Sequence, residues 1–356
     1  MRVFVGLSGG VDSSVAAALL KQEGHQVEGV YLLGYQPPFM KCPAAEDRTD
    51  AMRVAAHLGI PFHTLDLSES YKKEVVDYLI SEYAAGRTPN PDIMCNKHIK
   101  FGGFFEWALA HGADAIATGH YARKGAEPTS LVAAKDTNKD QTYFLWALSK
   151  EALSKTLFPV GNFTKPEIRE MAKELGLPTA AKKDSQGVCF LGKIDMDEFL
   201  AREIPHIQGV VLNAEGEEIG HHNGAKFLTI GQRHGFIVTK KTPNDAPYYI
   251  VSKDVEQNTI TVDANPHRET SNSDTVTLHS TNWFIAPPEV GVRINARARH
   301  RQPYFEVEIV ASASASVSVS DTATVRIISP NIGPFASGQS LVLYDGSTCL
   351  GGGIIA

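Results

Sequence analysis

A glycine-rich run directly after the first apolar strand constrains this chain more than any other segment. Residues 6–14 read Gly-Leu-Ser-Gly-Gly-Val-Asp-Ser-Ser and follow an apolar strand at residues 3–5. They lead into an alanine-rich helix that we predict to begin near Val15. The backbone N–H groups at such a helix N-terminus, together with the helix dipole, form an anion site. Gly9 and Gly10 let a phosphate approach the backbone without a Cβ in the way.

The loop is not a GxxxxGK[ST] P-loop, because no lysine follows its glycines. The P-loop lysine serves the terminal phosphates of a nucleotide. The Ser-Gly-Gly-x-Asp-Ser pattern instead resembles the pyrophosphate loop of ATP pyrophosphatases, which split ATP into AMP and pyrophosphate. A glycine-rich turn with no ligand is the alternative interpretation.

Length and charge limit the remaining possibilities. A chain of 356 residues exceeds a typical single core and predicts two or three domains. The net charge of −6 gives no global sign of nucleic-acid binding, so such a surface has to be a local basic patch. The sequence shows no signal peptide and no apolar stretch of roughly 20 residues, which predicts a cytoplasmic protein without membrane contact.

Strands and helices alternate through the first half of the chain, which predicts a doubly wound parallel sheet with helices on both faces. Strands are predicted at residues 3–5, 27–33, 61–65 and 115–118, and helices at residues 44–58, 71–83, 104–111 and 165–175. Ligands of such sheets bind at the carboxyl ends of the strands. Residues 6–14 lie at one such end, and residues 119–121 lie at another.

The residue composition changes after about Asp197, where glycine and β-branched residues become more frequent. Hairpins are predicted at residues 209–222 and 248–262, and residues 311–320 alternate as a strand with one serine face. We predict an α/β domain, a small mainly-β central domain and a C-terminal β-barrel, at residues 1–195, 196–268 and 269–356. A long sandwich strand is the alternative to the barrel.

The densest basic run of this acidic chain lies in the predicted barrel. Strand alternation would place four arginines on one face: Arg293, Arg297, Arg299 and Arg301. Four cations on one face form a stripe suited to phosphate contacts. A solvated barrel face is the alternative.

The chain has four cysteines without a CxxC pair, which argues against a zinc ribbon or a disulfide scaffold. Cys95 follows the turn signal Asn90-Pro91, so we predict it just after a loop. Asp92 is near enough in sequence to exchange a proton with a reacting group, and Lys97 could favour the thiolate.

The second cysteine segment has the same polar character. Lys182 and Lys183 supply positive potential before Cys189, and Gly187 allows close backbone approach. A small buried hydrophobe is the alternative for both thiols, and it is the interpretation we keep for Cys42 and Cys349.

An ATP-splitting loop with two loop cysteines predicts sulfur chemistry. Adenylation turns a carbonyl oxygen into a good leaving group, which a persulfide or hydrosulfide can then displace. One thiol would carry the sulfur, and the second would release it by thiol–disulfide exchange.

Seven motifs in order resemble the tRNA-specific 2-thiouridylases (the MnmA/TrmU family) over essentially the whole chain. They are GLSGGVDSSVAA at 6–17, RTPNPDIMCNKHIKF at 87–101, ATGHYAR at 117–123, KDQTYFL at 139–145, KDSQGVCFLG at 183–192, TIGQRHG at 229–235 and CLGGGII at 349–355. The resemblance implies a PP-loop nucleotide domain, a small central domain and a tRNA-binding β-barrel. It implies ATP-dependent 2-thiolation of the wobble uridine of tRNA.

The resemblance also implies residue roles. Cys95 takes the nucleophile position, Cys189 bears the persulfide, and Asp92 is the acid or base. The residues implied to bind ATP are Gly6, Leu7, Ser8, Gly9, Gly10, Val11, Asp12, Ser13, Leu32 and Gly119. Those implied to contact the flipped base or tRNA are Asn90, Pro91, Asp92, His120, Lys139, Asp140, Gln141, Arg299, His300 and Gln339.

The implied substrates and partners are ATP with Mg²⁺, the anticodon stem-loop of a tRNA with a wobble uridine, and a persulfide relay protein or cysteine desulfurase. The loop at residues 34–42 is shorter than is usual in the family. His300 stands where an aromatic residue is more usual, and Gln186 where a small polar residue is common.

Three alternatives remain open at this stage. An ammonia-using synthetase of the same superfamily would not need two thiols. A related thiolase could use an iron–sulfur cluster held by Cys95, Cys189 and a third group, with one open iron. An RNA-binding module that uses ATP only as a switch would form no AMP with tRNA.

Overall fold

The computed structural model describes residues 1–37, 39, 44–184, 187, 189–192, 195–239, 246–266, 274–312, 322–330 and 332–356. Cys42, Gln186 and most of the serine-rich run predicted as a strand, from residue 313 onward, lie outside the described residues.

A parallel sheet forms the centre of the first domain. The first seven strands are β1 (Arg2–Gly6), β2 (Gln26–Leu33), β3 (Phe62–Asp66), β4 (Ala115–Ala117), β5 (Ala122–Lys124), β6 (Leu131–Ala133) and β7 (Thr156–Leu157). Five of them pair in the order β3-β2-β1-β4-β7, all in parallel. Val3, Phe4 and Val5 of the central strand are buried, because helices cover both faces of the sheet. The predicted α/β class is confirmed.

The helices of the chain begin with α1 (Val11–Gln22), and the others are α2 (Ala44–Leu58), α3 (Ser68–Tyr71), α4 (Tyr78–Ala84), α5 (Pro91–Met94), α6 (Phe104–Ala110), α7 (Lys150–Ser154), α8 (Lys165–Glu174) and α9 (Met196–Leu200). The predicted start of α1 near Val15 is one turn late. Asp12, Ser13 and Ser14 are poor in a helix interior but acceptable in a first turn, where Asp12 also complements the helix dipole. Among the helices that the structure describes, none is long and apolar enough to span a bilayer.

Two helical runs are continued by π-helical turns. Lys72–Asp77 joins α3 to α4, and Cys95–Gly103 joins α5 to α6. The second run is therefore continuous from Pro91 to Ala110, and the predicted helix at residues 104–111 starts too late. Gly102 and Gly103 weigh against a helix by propensity, but burial of Ile99 and Phe101 against the core holds the run together.

The central domain is a five-stranded sheet. Its strands are β8 (Gly209–Leu212), β9 (Glu218–His222), β10 (Phe236–Val238), β11 (Tyr249–Asp254) and β12 (Thr259–Asp263). Their order is β10-β9-β8-β12-β11, with only the β8–β12 pair parallel among the pairings described. Both predicted hairpins, β8–β9 and β11–β12, are confirmed.

The C-terminal domain is a closed antiparallel barrel. Its strands are β13 (Thr275–Trp283), β14 (Arg293–Arg297), β15 (Phe305–Ser312), β16 (Ala323–Ile327), β17 (Ser340–Asp345) and β18 (Thr348–Ile355). Pairing of β13 with β18 closes the circle β13-β16-β15-β14-β17-β18. Closure removes free sheet edges, and the predicted barrel is confirmed over the sandwich alternative. The predicted domain limits at residues 195 and 268 fall between the sheets and stay predictions.

The first domain is joined to the barrel by backbone pairing as well as by side chains. The hairpin β5–β6 leaves the parallel sheet, and β6 pairs with β18 through Val132 with Thr348 and Leu131 with Cys349. At the same boundary the Arg297 guanidinium, nearly buried, lies 3.1 Å from the Asp140 carboxylate. The barrel is thus held directly against the domain that carries the nucleotide loop.

Candidate active site

Two cysteines that lie 94 positions apart in sequence face each other. The Cys95 Sγ lies 3.2 Å from the Cys189 Sγ, as a hydrogen-bonded pair of free thiols. Cys95 is fully buried at the start of the π-helical stretch, and Cys189 is half-buried in a turn that follows α8. The prediction of Cys95 just after a loop needs adjustment, because the helix already begins at Pro91.

The negative charge of the pair belongs on Cys189. The hydrogen bond from Cys95 lowers the pKa of the Cys189 thiol to about 7, and the Lys100 ammonium acts in the same direction. Burial raises the pKa of the Cys95 thiol well above its usual value, and the Cys189 sulfur adds to that effect. A thiolate at Cys189 is the form that attacks a sulfur donor.

Lys100, rather than Lys97, is the cation beside the thiols. In an α-helix a residue five positions on points about 140° away, whereas i→i+5 hydrogen bonds bring it above the first residue. The π-helical stretch therefore turns Lys100 to the face of Cys95, where its Nζ donates to Asn96 Oδ1 at 3.1 Å. Lys97 is exposed, so its predicted role is wrong.

The predicted role of Lys182 beside Cys189 is also wrong. Its Nζ lies 2.7 Å from both Asp47 and Asp50, so its charge is neutralised on α2. Lys182 is thus close to Cys189 in sequence, but its side chain pairs with helix α2 instead of with the thiol. Among the described residues, no contact joins Lys183 to the thiols.

The reactivity of Cys189 is expected to depend on pH in a defined direction. Alkylation by iodoacetamide needs the thiolate, so its rate should rise with pH up to about 7 and level off above it. Lys100→Gln removes the stabilising cation and raises the thiol pKa, which should slow alkylation about tenfold at pH 6. Lys100→Arg keeps the charge and should retain most of the rate. Equal profiles for wild type and Lys100→Gln would contradict the role of this cation.

Asp92 and Asn90 are positioned by the start of α5. The Asn90 Oδ1 caps this helix and accepts the N–H groups of Asp92 and Ile93, at 3.1 and 3.4 Å. Pro91 occupies the first turn, where its missing N–H is no loss. The Asp92 Oδ1 accepts the N–H of Cys189 at 3.1 Å, so a carboxylate lies directly beside the two thiols.

Two of its own serines hold the nucleotide loop in shape. Gly10 precedes α1, and no side chain among the described residues caps that N-terminus. The Ser8 and Ser13 hydroxyls lie 3.1 Å apart, and the Ser13 Oγ also accepts the Ser8 N–H. Gly9 has φ +73° and packs against the Asp47 carbonyl, so a Cβ could not be accommodated there. This geometry suits an anion held by backbone N–H groups.

The other residues predicted for ATP surround this loop. Leu32 is buried near the end of β2. The Asp12 carboxylate accepts from Lys165 Nζ at 2.6 Å and from the Tyr121 hydroxyl at 2.8 Å. Gly119 follows β4 and packs against the loop backbone, since a Cβ there would stand 2.6 Å from the Ser13 nitrogen.

Gly119→Ala is therefore expected to displace the nucleotide loop and to reduce ATP cleavage by about 10²-fold, because the new Cβ collides with backbone that cannot rotate away. AMP formation with the tRNA substrate predicted from the sequence measures the effect. Gly24→Ala is the matched control, because that glycine has φ +85° but an open environment. A Gly119→Ala variant that cleaves ATP at the wild-type rate would refute the packing role.

The first-domain residues predicted to contact tRNA are engaged within the protein. His120 is buried, and its Nδ1 lies 2.8 Å from the Thr118 hydroxyl. Asp140 is 2% exposed and binds Arg297. The Lys139 Nζ lies 2.7 Å from Asp184, and the Gln141 Oε1 accepts the Tyr121 N–H. Their roles toward tRNA stay predictions.

Of the three barrel residues predicted to contact tRNA, two make hydrogen bonds within the protein and one is exposed. Arg299 is exposed, the His300 Nε2 lies 3.0 Å from the Asp140 carbonyl oxygen, and the Gln339 Nε2 donates to the Thr88 carbonyl at 2.7 Å. Gln339 and Thr88 tie the barrel to the segment that leads into α5. Arg299 alone of the three presents an exposed side chain.

The predicted arginine stripe is wrong. β14 ends at Arg297, so strand alternation does not extend to Arg299 and Arg301. The Arg297 side chain is buried against Asp140, and its guanidinium carbon lies 3.9 Å from the Tyr304 ring centroid. Arg301 has φ +64° and donates to the Asn138 carbonyl. A fourth arginine, Arg293, remains exposed at the start of the strand.

Two residues at the thiols escaped the sequence analysis. Lys100 lies in the motif at residues 87–101, but only the π-helical hydrogen-bonding pattern brings its side chain to Cys95. The Tyr71 hydroxyl donates to the Cys189 carbonyl oxygen at 2.5 Å, across 118 positions of sequence. No local pattern could have signalled that contact.

The residues at the thiols do not fit an iron–sulfur cluster. In the described part of the chain no group of three or more His, Cys, Asp or Glu residues could hold a metal ion. The third described cysteine, Cys349, is buried in β18 of the barrel. A cluster with three protein ligands thus lacks its third donor among these residues.

The nucleotide loop on a parallel α/β sheet and the facing thiols define a class of ATP-using enzymes with a dithiol site. Three family models match in chain order: the tRNA methyl transferase HUP domain at residues 1–193, the tRNA methyl transferase PRC-barrel domain at 197–264 and the aminomethyltransferase β-barrel domain at 273–355. Curated relatives named tRNA-specific 2-thiouridylase MnmA, from Streptococcus thermophilus and Bacillus cereus, are each 43% identical. They align with 99% of this chain and with 95% and 94% of their own lengths. The chain belongs to the tRNA-specific 2-thiouridylase family.

Solved structures give a weaker comparison. The U34-tRNA thiolase NcsA from Methanococcus maripaludis, with its [4Fe-4S] cluster, is 16% identical over 58% of this chain and 67% of its own, with a TM-score of 0.36. A likeness of this size adds nothing to the assignment.

Proposed function

We propose that this protein replaces the C2 oxygen of the wobble uridine of tRNA by sulfur, with conversion of ATP to AMP and pyrophosphate. The observation that carries the proposal is the 3.2 Å approach of the Cys95 and Cys189 sulfurs beside Asp92. The matched family models are described as methyl transferases, whereas the relatives with nearly full coverage are thiouridylases. Two facing thiols favour the second activity, because a sulfur relay uses both of them and methyl transfer requires neither.

The first half of the reaction activates the oxygen. ATP, bound as its magnesium salt at residues 6–13, is attacked at the α-phosphorus by the C2 oxygen, and pyrophosphate leaves. The uridine N3 proton passes to Asp92, so that the adenylated base is neutral. The target base has to leave the anticodon stack to reach a carboxylate that lies at the thiols.

The second half supplies the sulfur. The Cys189 thiolate attacks the terminal sulfur of a persulfide donor, a relay protein or cysteine desulfurase, and the donor thiolate leaves. The terminal sulfur of the Cys189 persulfide then attacks C2, and AMP leaves with the original oxygen. Persulfide formation has consumed the Cys189 charge that disfavours ionisation of Cys95, so Cys95 now releases its proton to solvent. The Cys95 thiolate attacks the Cys189 Sγ, the S–S bond breaks, and the electron pair stays on the sulfur at C2 while Asp92 returns the N3 proton. The resulting Cys95–Cys189 disulfide is reset by a thiol reductant. Release of hydrosulfide by Cys95 before attack on C2 is the alternative order.

Incubation with unmodified tRNA, Mg-ATP, a persulfide donor and dithiothreitol tests this function. Nucleoside mass spectrometry is expected to find 2-thiouridine at the wobble position. Replacement of the donor by ammonium chloride is the control for an ammonia-using synthetase and is expected to give no modified base. Unaltered uridine under conditions in which ATP is cleaved would exclude the proposed activity.

A further inference from the structure

The main chain of Cys189 is held at both of its polar groups by side chains of distant helices. Its N–H donates to the Asp92 carboxylate at 3.1 Å, and its carbonyl oxygen accepts from the Tyr71 hydroxyl at 2.5 Å. Asp92 lies in α5 and Tyr71 is the last residue of α3. Two side chains from different helices thus fix a peptide segment whose own secondary structure is only a turn.

The turn that carries Cys189 needs such support. Phe190 has φ +62°, in the left-handed region that a residue with a Cβ adopts only when its surroundings impose it. The Phe190 ring lies edge-on to the Tyr71 ring, with centroids 5.5 Å apart. Tyr71 therefore touches the turn twice, through its hydroxyl at Cys189 and through its ring at Phe190.

Among the described residues, the Cys189 carbonyl oxygen is the hydrogen-bond partner of the Tyr71 hydroxyl. The side chain is completely buried within the core of the first domain, where a phenylalanine would fill the space equally well. A buried tyrosine hydroxyl requires a hydrogen-bond partner, and here that partner is the carbonyl of a thiol-bearing residue. Burial raises the pKa of Tyr71 far above its usual value, so the hydroxyl remains a donor at every working pH.

We propose that Tyr71 is a positioning residue for sulfur transfer, and that its hydroxyl holds the Cys189 main chain so that the Cys189 sulfur stays within reach of the Cys95 sulfur. Asp92 holds the other end of the same residue but also has a proposed proton-transfer role. Of the two side chains that hold the Cys189 main chain, Tyr71 is therefore the one that can be changed without removing a proposed proton-transfer group. The proposal rests on the proposed function only for the assignment of sulfur transfer to these two thiols.

The direct test is the rate at which the two thiols join when diamide oxidises the full-length protein, a step that converts two thiols and the azo group into a disulfide and a hydrazine. Tyr71→Phe keeps the ring and removes the hydroxyl. Disulfide formation between Cys95 and Cys189 is expected to be about tenfold slower in this variant. Alkylation of Cys189 by iodoacetamide is expected to be as fast as in wild type or faster, because it needs no approach to Cys95.

Tyr143→Phe is the matched control. Tyr143 is also buried, and its hydroxyl donates to backbone carbonyls of Ala298 and Ser340, at 2.9 and 3.1 Å, at the barrel boundary. Removal of the Tyr143 hydroxyl should lower the stability of the protein as removal of the Tyr71 hydroxyl does. It does not change the hydrogen bonds of Cys189, so the rate of disulfide formation should stay the same. Equal slowing in both variants, or no slowing in Tyr71→Phe, would overturn the proposal.

A second variant keeps the test decisive if Tyr71→Phe does not fold. Phe190→Ala removes the ring contact and leaves the Tyr71 hydroxyl in place, so disulfide formation should stay within about twofold of wild type. A tenfold loss in Phe190→Ala would assign the positioning to ring packing and reject the hydroxyl. Neither assay uses ATP or tRNA, so both results are independent of whether the protein thiolates uridine.

In single turnovers with tRNA, Tyr71→Phe should lower the rate of 2-thiouridine formation while persulfide loading is unchanged. In steady-state assays of the same variant, the KM for tRNA should be unchanged.

Discussion

Cys189→Ser is expected to abolish both sulfur loading and 2-thiouridine formation, by more than about 10³-fold, while tRNA binding is retained. In the proposed reaction Cys189 carries the sulfur, because its thiolate is stabilised by the Cys95 hydrogen bond and by Lys100. A serine hydroxyl has nearly the same size but cannot form a persulfide. Incubation with a ³⁵S-labelled persulfide donor measures loading, and tRNA binding is measured by filter retention.

Cys349→Ala is the matched control for this prediction. Cys349 is a buried thiol of β18 whose pKa is raised by burial, so it does not supply a thiolate. Its loss should leave sulfur loading unchanged. Labelled sulfur on the Cys189→Ser protein at the wild-type level would place the carrier elsewhere.

Cys95→Ser is expected to retain the loading of sulfur onto Cys189 and to lose the release of that sulfur to the uridine. The variant should still take up labelled sulfur at Cys189, because that thiol keeps Lys100 nearby and remains half exposed. It should form 2-thiouridine at least about 10²-fold more slowly, since no second sulfur lies 3.2 Å away to form the disulfide. Mass spectrometry is expected to show a Cys189 persulfide on the intact protein before tRNA and Mg-ATP are added, and a disulfide-linked adduct of Cys189 with the tRNA afterwards.

The Cys95→Ser variant tests the release step and leaves a hydrogen-bond donor beside the Cys189 thiolate. Serine at position 95 can still donate an O–H to the Cys189 sulfur, so slow loading is not expected. Multiple turnovers by Cys95→Ser at the wild-type rate would show that release does not use this thiol, and the proposed disulfide step would be rejected.

Local sequence patterns predicted the elements that depend on short stretches of chain. The strand, loop and helix around residues 6–14, both central hairpins and the closed barrel follow from periodicity and turn residues, which act over a few positions. The predicted start of α1 is late because Ser13, a weak residue in a helix interior, is acceptable in the first turn. The predicted start of the helix through Cys95 is late because burial of its neighbours outweighs the weak propensity of Gly103.

The contacts that organise the thiols depend on packing between distant segments. Lys100 reaches them through a π-helical register, and Tyr71 through a hydrogen bond over 118 positions, and neither has a signature in the sequence. The arginine stripe failed for the same reason. Strand alternation predicts faces only within a strand, and Arg297 found a buried partner in Asp140 of another domain.

In the proposed reaction, ATP cleavage activates the oxygen that sulfur replaces. Substrate tRNA with ¹⁸O at C2 of the wobble uridine, incubated with Mg-ATP and a persulfide donor in a single turnover, tests it most directly. One ¹⁸O atom is expected in the phosphate of AMP for each 2-thiouridine formed. Formation of 2-thiouridine together with unlabelled AMP would exclude adenylation of the C2 oxygen.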